Sequence, residues 1–455
     1  MASLADRYQS LVKWVESAGG RLHPAVEIYH DEVTKGSFRV KEGGVLNLGE
    51  EIVSLPLSCS LSYLNAIAGH PSIPSTTLPA SIRRPQTADG YFPDEFLSNA
   101  PPHVVGRFFL MQEYLRRQVS PWWPYIRTLP PPEQMTNLLP VVWPAGDIEF
   151  LEGTNAHVAV QEIRSTLRKE YKHAMKLLPE RYQFEYTRPL YHWAYCIFTT
   201  RSFRPSLILP SLESSSYSSS SSSSLPCKTD DFSILLPLFD IGNHSPLAQT
   251  SWVTDAESRA CALSTSLHGY AAGEQVYNNY GMKTNAELLL GYGFVIPESD
   301  GLHNDYVHVK TRANPEAGDL DASHIVSLRP FAHPSSVVGR ARLVDPDHVS
   351  CLPHLSHFQD TLIAALYESI ARRTEEEESV ADASLTDIMQ GRIPPEVLGE
   401  LIDALGTKLT MDLEEIEAHD PPYEPANPNQ ELALRYREQC KKVLDQALAS
   451  LSGTG

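Results

Sequence analysis

Two β-rich stretches lie far apart in this chain of 455 residues, and neither is long enough to build a core alone. Residues 25–64 contain AVEIYH, SFRV, GVLNL and EEIVSLP, which are short, β-rich and bounded by glycine or charged residues. Residues 231–280 contain the buried run SILLPLFDIGNHSP, which ends in turn-forming residues, and EQVYNNYG. The two stretches together predict an α+β fold, in which one β-rich domain is interrupted by a helical insertion.

The chain between these stretches is mainly helical. HVVGRFFLMQEYLRRQ and NAHVAVQEIRSTLRKEYKHAMKLLP have helical periodicity and helix-forming residues, and LYHWAYCIFTTRSF is a further buried helix candidate. Five prolines in SPWWPYIRTLPPPEQ preclude a long helix there. At the N-terminus an amphipathic helix is predicted, because Leu4, Tyr8, Leu11, Val12 and Val15 recur at helical spacing.

A separate helical domain is predicted at the C-terminus. DTLIAALYESIARRTEEEES, EVLGELIDALGTKLTMDLEEIEAH and NQELALRYREQCKKVLDQALASL all have helical periodicity. The serine-rich run cannot bury enough apolar area to offset the entropy of ordering, so a disordered loop is expected there. The predicted parts are residues 1–94 (N-terminal helix and first β-rich half), 95–200 (helical insertion), 201–298 (second β-rich half, with the serine-rich loop 211–224) and 299–455 (C-terminal helical domain).

Composition narrows the function classes. The net charge of −19 argues against nucleic acid as the main partner and permits basic protein partners. None of the six cysteines lies near another, so zinc spacing is absent and a reducing, intracellular location is expected. No stretch approaches the roughly 18 apolar residues of a membrane span. The acidic run Glu375–Glu378 either is a solvated helix or loop or attracts a lysine-rich substrate.

Standard catalytic motifs are missing from the sequence, including GxSxG, HExxH, the Walker A loop and GxGxxG after a strand. Hydrolase, metalloprotease, P-loop and classical dinucleotide functions therefore lack support. Polar residues gather instead between residues 236 and 296. Asp240, Asn243 and His244 follow a buried strand, where short polar residues commonly cap a turn. Taken singly, Tyr280 and Tyr292 are each consistent with a core tyrosine whose hydroxyl has a hydrogen-bond partner.

Taken together, these residues resemble the SET domain of protein methyltransferases, in the subfamily of the Rubisco large-subunit lysine methyltransferase. The chain carries P-x-x-D-x-x-N-H at 237–244, G-E-Q-V-x-x-x-Y at 273–280 and N-A-E-L-x-x-x-Y-G-F at 285–294. SPWWPYIRTLP, TTRSF with Arg201, and GEEIVSLPLSCSLS resemble further segments of the family. The C-terminal helices stand where the family has its substrate-binding domain, so the resemblance extends over most of the chain.

The resemblance implies a SET fold and metal-free transfer of a methyl group from S-adenosyl-L-methionine to a lysine of a non-histone protein. The implied roles are catalysis for Tyr280, cofactor binding for Lys35, Gly36, Arg201, Asn243, His244 and Phe294, and binding of the substrate lysine for Asp240 and Tyr292. Three of these residues have a structural alternative: Asp240 as a turn cap, Phe294 as a core residue and Arg201 as a partner in a surface ion pair.

Two departures from the family pattern leave alternatives open. Thr34 stands at the first glycine of the family's G-x-G-L, and Pro205 stands where a basic residue often follows Arg201. The alternatives are a protein-histidine methyltransferase and a non-catalytic SET-fold binding module. Ribosomal proteins, elongation factors, histones and cytochrome c all stay open as substrates, and both nucleus and cytoplasm stay open as locations.

Overall fold

The computed structural model describes residues 3–32, 35–70, 82, 92–209, 227–255, 260–311, 323–345, 348–371 and 384–453. The chain forms two compact units. The first comprises Met1–Met135 with Arg164–Tyr280, and the second Thr136–Ile163 with Gly281–Gly455. Residues 95–200, predicted as one insertion, contribute to both units, and the predicted domain boundaries stay predictions. Thr34, the serine-rich loop 211–224 and Glu375–Glu378 lie outside the described residues.

The secondary structure is dominated by helices. The helices are α1 (Leu4–Ser17), α2 (Tyr63–Ile67), α3 (Asp94–Asn99), α4 (Pro102–Arg116), α5 (Trp123–Ile126), α6 (Ala145–Ile148), α7 (Asn155–Lys176), α8 (Arg188–Arg201), α9 (Asn285–Tyr292), α10 (Val337–Arg340), α11 (Asp360–Ala371), α12 (Leu385–Met389), α13 (Pro395–Ala418) and α14 (Pro428–Leu451). The strands are β1 (Arg21–Leu22), β2 (Val26–Asp31), β3 (Lys35–Val40), β4 (Glu51–Pro56), β5 (Leu61–Ser62), β6 (Ser202–Phe203), β7 (Ile234–Leu235), β8 (Thr250–Asp255), β9 (Ala260–Thr265), β10 (Gln275–Val276), β11 (Tyr306–Lys310) and β12 (Ser323–Ser327). Among the described residues, no helix combines the length and apolar character that crossing a membrane requires.

The sheets of the first unit combine strands from both β-rich stretches. Their strand orders are β1-β4-β9-β8, β10-β3-β2 and β5-β7-β6, and every neighbouring pair is antiparallel. Strand β4 pairs with β9, β3 with β10, and β5 with β7, so each sheet joins residues that are far apart in sequence. The prediction of one β-rich domain with a helical insertion is therefore confirmed.

Several strands are absent or shorter than predicted. GVLNL forms no strand, and only Leu46 pairs there, in an isolated bridge with Tyr270. Gly43 and Gly49, which flank this segment, have φ of 72° and 82°, and such left-handed positions turn the backbone out of an extended course. SILLPLFDIGNHSP, predicted as a buried strand that runs into a loop, contributes only the two residues of β7 before the chain turns.

Aromatic rings and one buried charge network hold the helices of the first unit together. Phe108 on α4 packs against Phe96 and Tyr191, with ring centroids 5.3 and 5.4 Å apart. Glu170 on α7 accepts hydrogen bonds from Arg107 on α4 at 2.7 Å and from the Tyr191 hydroxyl on α8 at 2.8 Å. The network lies largely out of solvent, where ion pairs persist only with such well-placed hydrogen bonds.

The second unit builds its core from the C-terminal helices and from residues 136–163 of the insertion. Phe150 and Leu151 are buried with Leu405 of α13 and Leu444 of α14 in one apolar cluster. Polar contacts reinforce it. The Asp147 carboxylate accepts hydrogen bonds from the side-chain amides of Asn427, Asn429 and Gln430, and the Arg437 guanidinium contacts Asp420 and the carbonyls of Phe150, Glu152 and Ile416.

Candidate active site

The polar residues predicted for the site follow a turn that begins at an unusual backbone position. Strand β7 ends at Leu235, and Leu238 then adopts φ 74° and ψ −41°, a conformation that costs a residue with a Cβ atom free energy. A 3₁₀ turn over Phe239–Ile241 follows, and the side chains of Leu238 and Phe239 are fully buried. The burial of these two side chains holds the strained backbone of Leu238 in place. The turn therefore fixes the start of the segment that carries Asp240, Asn243 and His244.

A second segment of the first unit pairs with the residues after this turn. The backbone N–H of Asn278 donates to the Asn243 carbonyl at 2.8 Å, and that of Ser245 donates to the Asn278 carbonyl at 3.0 Å. His244 and Asn278 thus form an isolated parallel bridge. At Gly242 a Cβ atom would lie 3.4 Å from both the Asn278 Cβ and the Phe38 ring, so the chains approach closely. This pairing delivers Tyr280 beside residues 242–244.

Tyr280 is held at three points. Its backbone N–H donates to the His244 Nδ1 at 3.0 Å, and its hydroxyl donates to the Gly242 carbonyl at 2.8 Å. The two rings also stack, with centroids 5.0 Å apart and planes 15° from parallel. Because Nδ1 accepts a hydrogen bond, the proton of a neutral His244 ring is on Nε2. The phenol proton is directed at the Gly242 carbonyl, and a phenol oxygen can also accept hydrogen bonds.

Arg201, the last residue of α8, forms a buried ion pair with Asp240. Its Nη1 lies 3.1 Å from Asp240 Oδ2 and also donates to the Asp240 carbonyl at 3.2 Å. The Tyr125 hydroxyl donates to the same Oδ2 at 2.9 Å. Burial raises the pKa of Asp240, while the Arg201 and Tyr125 donors oppose that rise. Asp240, itself held by Tyr125, thus fixes the position of the Arg201 guanidinium at Nη1.

The other edge of the Arg201 guanidinium is uncommitted. Nη2 and Nε donate to no described residue, and 27% of the side chain is exposed, against 0% for Asp240. Burial lowers the pKa of Arg201, but Asp240, Tyr125 and Tyr8 together raise it by more than burial lowers it, so the group stays cationic. A fixed cation with two free N–H donors matches the geometry of a carboxylate ligand.

Lys35 and Gly36 begin β3, where they pair with Asp31 and His30 of β2. Lys35 has φ 58°, and its side chain is exposed, with Nζ 3.5 Å from a Glu32 carboxylate oxygen. A Cβ atom at Gly36 would lie 2.5 Å from the hydroxyl oxygen of Tyr8, closer than real Cβ contacts come. Glycine at position 36 therefore makes room for the phenol of a residue on α1.

Tyr292 and Phe294 belong to the second unit, at the end of α9. This helix begins with a capping box between Thr284 and Glu287 and ends at Gly293, whose φ is 77°. The rings of Tyr292 and Phe294 are tilted, with centroids 6.4 Å apart, and both side chains are half-buried.

No protein-family model matches the chain. Solved structures do resemble it. The SET domain of LSMT bound to lysine and AdoHcy aligns with a TM-score of 0.66 and 16% identity, over 99% of this chain and 92% of that one. Rubisco LSMT bound to AdoMet aligns with a TM-score of 0.62 and 17% identity, over 100% and 92%. The chain has the SET fold. The α+β class and the SET resemblance predicted from the motifs are therefore confirmed for the fold.

Three relatives are similar in sequence over part of the chain. Ribosomal lysine N-methyltransferase set10 of Schizosaccharomyces pombe is 34% identical over 223 residues, which are 48% of this chain and 36% of that protein. Human actin-histidine N-methyltransferase is 28% identical over 221 residues, or 46% and 32%. Protein-lysine N-methyltransferase EFM1 of Saccharomyces cerevisiae is 30% identical over 108 residues, or 23% and 16%. The matches thus cover about a third of the first two relatives' own length.

Within the SET fold, the first unit brings four of the nine predicted site residues together as two contacting pairs. His244 contacts Tyr280, and Arg201 contacts Asp240. Asp240 was predicted to line a lysine channel, and the structure instead surrounds its carboxylate with Arg201 and Tyr125, so a channel role stays a prediction. Pro205 is buried and begins a 3₁₀ turn just beyond β6.

The sequence did not indicate four residues that shape the site. Tyr125, Gly242 and Asn278 lie inside or beside motifs that the resemblance used, but their roles depend on contacts across the fold. Tyr8 was predicted only as part of the apolar face of α1. Among the described residues, no group of three or more His, Cys, Asp or Glu side chains is placed to hold a metal ion.

Proposed function

We propose that this chain is an S-adenosylmethionine-dependent protein-lysine N-methyltransferase. The cofactor would supply an electrophilic methyl group, so the protein needs to position the acceptor amine and shield it from water. The observation that carries the proposal is the pairing of residues 243–245 with 278–280, which fixes the Tyr280 hydroxyl on the Gly242 carbonyl. Tyr280 is the residue that the motifs assign to catalysis.

Tyr280 is suited to orient an amine. Its proton is committed to Gly242, so its oxygen can accept a hydrogen bond from an amine N–H and turn the amine lone pair toward the reaction path. An amine reacts only when neutral, and both desolvation and neighbouring positive charge lower the pKa of a lysine. We infer no general base, since water can carry away the proton of an amine whose pKa is lowered in this way.

The residues that would hold the cofactor fit its chemistry. Arg201 offers two free N–H donors to a carboxylate, while Asp240 and Tyr125 keep its other edge in place. Asn243 and His244 stand next to Tyr280 and are suited to the middle of the molecule, and Lys35 and Gly36 offer backbone groups at the start of β3. Phe294 as a cofactor contact and Tyr292 as a wall of the lysine channel belong to the proposal as well.

For the substrate, we propose a protein that presents a lysine, of the ribosomal or translation-related kind. The similarity to a ribosomal lysine N-methyltransferase supports this class, and the charge of −19 would attract a basic partner. We propose an intracellular location, nuclear or cytoplasmic. All six cysteines are free, which supports a reducing compartment.

The test is transfer of labelled methyl from S-adenosylmethionine into a cell extract, resolved by protein. Wild type should label a discrete band, and Tyr280→Phe should lower the labelling about a hundredfold or more, because one preorganised polar group is lost at the reacting centre. Tyr277→Phe, three residues earlier in the same segment, is the matched control and should label normally. Equal labelling by Tyr280→Phe and wild type would refute the catalytic assignment.

Mass spectrometry of the labelled band decides the acceptor. A methylated lysine supports the proposal, and a methylated histidine would replace it with the alternative that the similarity to actin-histidine N-methyltransferase favours. Titration of S-adenosylhomocysteine into the same preparation distinguishes an enzyme from a non-catalytic binding module. A wild-type protein that binds no cofactor would be a SET-fold binding module rather than an enzyme.

A further inference from the structure

The N-terminal helix α1 contributes a side chain to the region predicted to bind the cofactor. Tyr8 lies on this helix, which begins with a capping box of Ser3 and Asp6 and buries Leu11 and Val15. The hydroxyl of Tyr8 occupies the space that a Cβ atom at Gly36 would need, 2.5 Å from that position. The phenol is thus in contact with the backbone at the start of β3.

A second observation links Tyr8 to the opposite side of the same region. The charges of Arg201 and Asp240 both act on the Tyr8 hydroxyl, and Tyr8 in turn acts on Arg201. Gly36 and Arg201 come from different elements, β3 and α8, and Tyr8 interacts with both. The Tyr8 side chain is half-buried, and among the described residues its hydroxyl has no hydrogen-bond partner.

These observations have a common explanation if a polar ligand completes the hydrogen bonding of the phenol. Burial raises the pKa of Tyr8, so the hydroxyl is a neutral donor at physiological pH. Arg201, whose charge acts on this hydroxyl, offers the free edge of a fixed cation. A neutral O–H and a guanidinium edge in the same region suit a carboxylate, which accepts several hydrogen bonds at once.

We propose that Tyr8 is a further cofactor-binding residue, whose hydroxyl donates a hydrogen bond to the amino-acid end of the cofactor beside Arg201. This inference rests on the proposed function, since it takes S-adenosylmethionine as the ligand. It gives α1 a role in ligand recognition in addition to its packing. It also gives a reason for glycine at position 36, because the phenol needs that space to reach its position.

The inference is tested with two ligands that differ only at one end. S-adenosylhomocysteine carries the amino-acid group, whereas 5′-methylthioadenosine keeps the adenosine and the thioether and lacks it. Both are titrated by calorimetry into wild type, Tyr8→Phe and Gln9→Ala. Phenylalanine keeps the ring and its packing, and Gln9 is the exposed neighbour on the same helix, so Gln9→Ala controls for changes in α1 itself.

Tyr8→Phe should weaken binding of S-adenosylhomocysteine about tenfold, the usual effect of one lost hydrogen bond to a charged group, and leave binding of methylthioadenosine unchanged. Gln9→Ala should bind both ligands as wild type does. An equal loss for the two ligands would mean that Tyr8 acts only through the structure, and no loss would mean that it makes no contact; either result overturns the inference while the proposed function stands. A wild type that binds neither ligand would overturn both.

Discussion

A fully buried carboxylate needs hydrogen-bond donors, and Asp240 has two of them on one oxygen. Tyr125 and Arg201 both donate to Oδ2, whereas Oδ1 has no hydrogen-bond partner among the described residues. The sequence motif predicted Asp240 as a site residue, but it could not show what the carboxylate faces. The geometry favours a positioning role, in which Asp240 holds Arg201 and Tyr125 holds Asp240.

This arrangement predicts a loss of stability in Tyr125→Phe. The variant keeps the ring and removes one hydrogen bond to a buried charge, which typically contributes roughly 1.5–3 kcal/mol to the free energy of unfolding. Urea unfolding at pH 7 measures the change. In the Asp240→Asn background the charged acceptor is gone, so the same substitution should cost less. Equal costs in the two backgrounds would show that the Tyr125 hydroxyl does not stabilise the carboxylate.

Among the secondary-structure elements, α9 shows how local sequence sets both ends of a helix. Thr284 and Glu287 form the capping box, and Gly293 ends the helix in the left-handed region, with its N–H donating to the carbonyls of Leu288 and Leu289. At Gly293 an added Cβ atom would overlap the Leu138 carbonyl oxygen. Gly291, two residues earlier, has no atom near its Cβ position and lies inside the helix.

Alanine at these two glycines should therefore have opposite effects. Gly293→Ala is expected to destabilise the protein by more than the roughly 1–2 kcal/mol of a left-handed alanine, because the Leu138 backbone must also move. Gly291→Ala should stabilise by roughly 0.5–1 kcal/mol, since alanine is the better helix former. Thermal unfolding of the two variants gives the comparison. Shifts of the same sign would contradict the assigned helix end.

The helices were predictable from sequence to a greater extent than the strands. Long periodic segments such as those of α4, α7 and α14 appear where the pattern placed them, because a helix satisfies its backbone within the segment. Strands depend on distant partners. GVLNL has strand composition, but its flanking glycines turn the chain, and β10 is two residues long because the chain then pairs with residues 243–245. Short-range composition carries no signal for such pairings.

At the scale of the whole chain, residues 136–163 show what sequence periodicity leaves open, because it carries no signal for their distant partners. Asp147 lies in the segment predicted as part of the insertion, yet its hydrogen-bond partners follow it by about 280 positions and include Gln430. Likewise Arg437 contacts the carbonyls of Phe150 and Glu152. The motifs of the candidate site name its residues directly, and those assignments stay predictions. The contact of Tyr8 with Gly36 depends on tertiary structure, for which the motifs carry no signal.

The stability of the molecule as a whole should depend on pH through two neighbouring buried groups of the second unit. Burial raises the pKa of Asp305 to about 7, with a further rise from Glu298 that Lys442 and Arg329 oppose. Burial lowers the pKa of His303 to about 4, and Arg329 lowers it further. Asp305 is 4% exposed and His303 0% exposed, so neither charged form is well solvated.

The two groups act in opposite directions. Folded Asp305 keeps its proton where the unfolded chain has lost it, so its contribution to stability is present below about pH 4 and is lost as the pH rises to about 7. Folded His303 stays neutral where the unfolded chain is protonated, so its contribution is present above about pH 6.5 and is lost as the pH falls to about 4. Each slope is at most about 1.4 kcal/mol per pH unit, and the two nearly cancel between about pH 4 and 6.5.

Single substitutions should therefore reveal slopes that the wild type conceals. Relative to wild type, Asp305→Asn should gain stability as the pH rises from 4 to 7 and hold a constant advantage above pH 7, because asparagine cannot ionise. His303→Gln should show the opposite trend, with its largest advantage near pH 4 and a decline up to about pH 6.5. Urea unfolding of the three proteins at half-unit steps from pH 4 to 8 measures both differences. A difference for Asp305→Asn that stays flat over this range would show that the folded protein ionises Asp305 at its ordinary pKa, and that burial at this position carries no electrostatic cost.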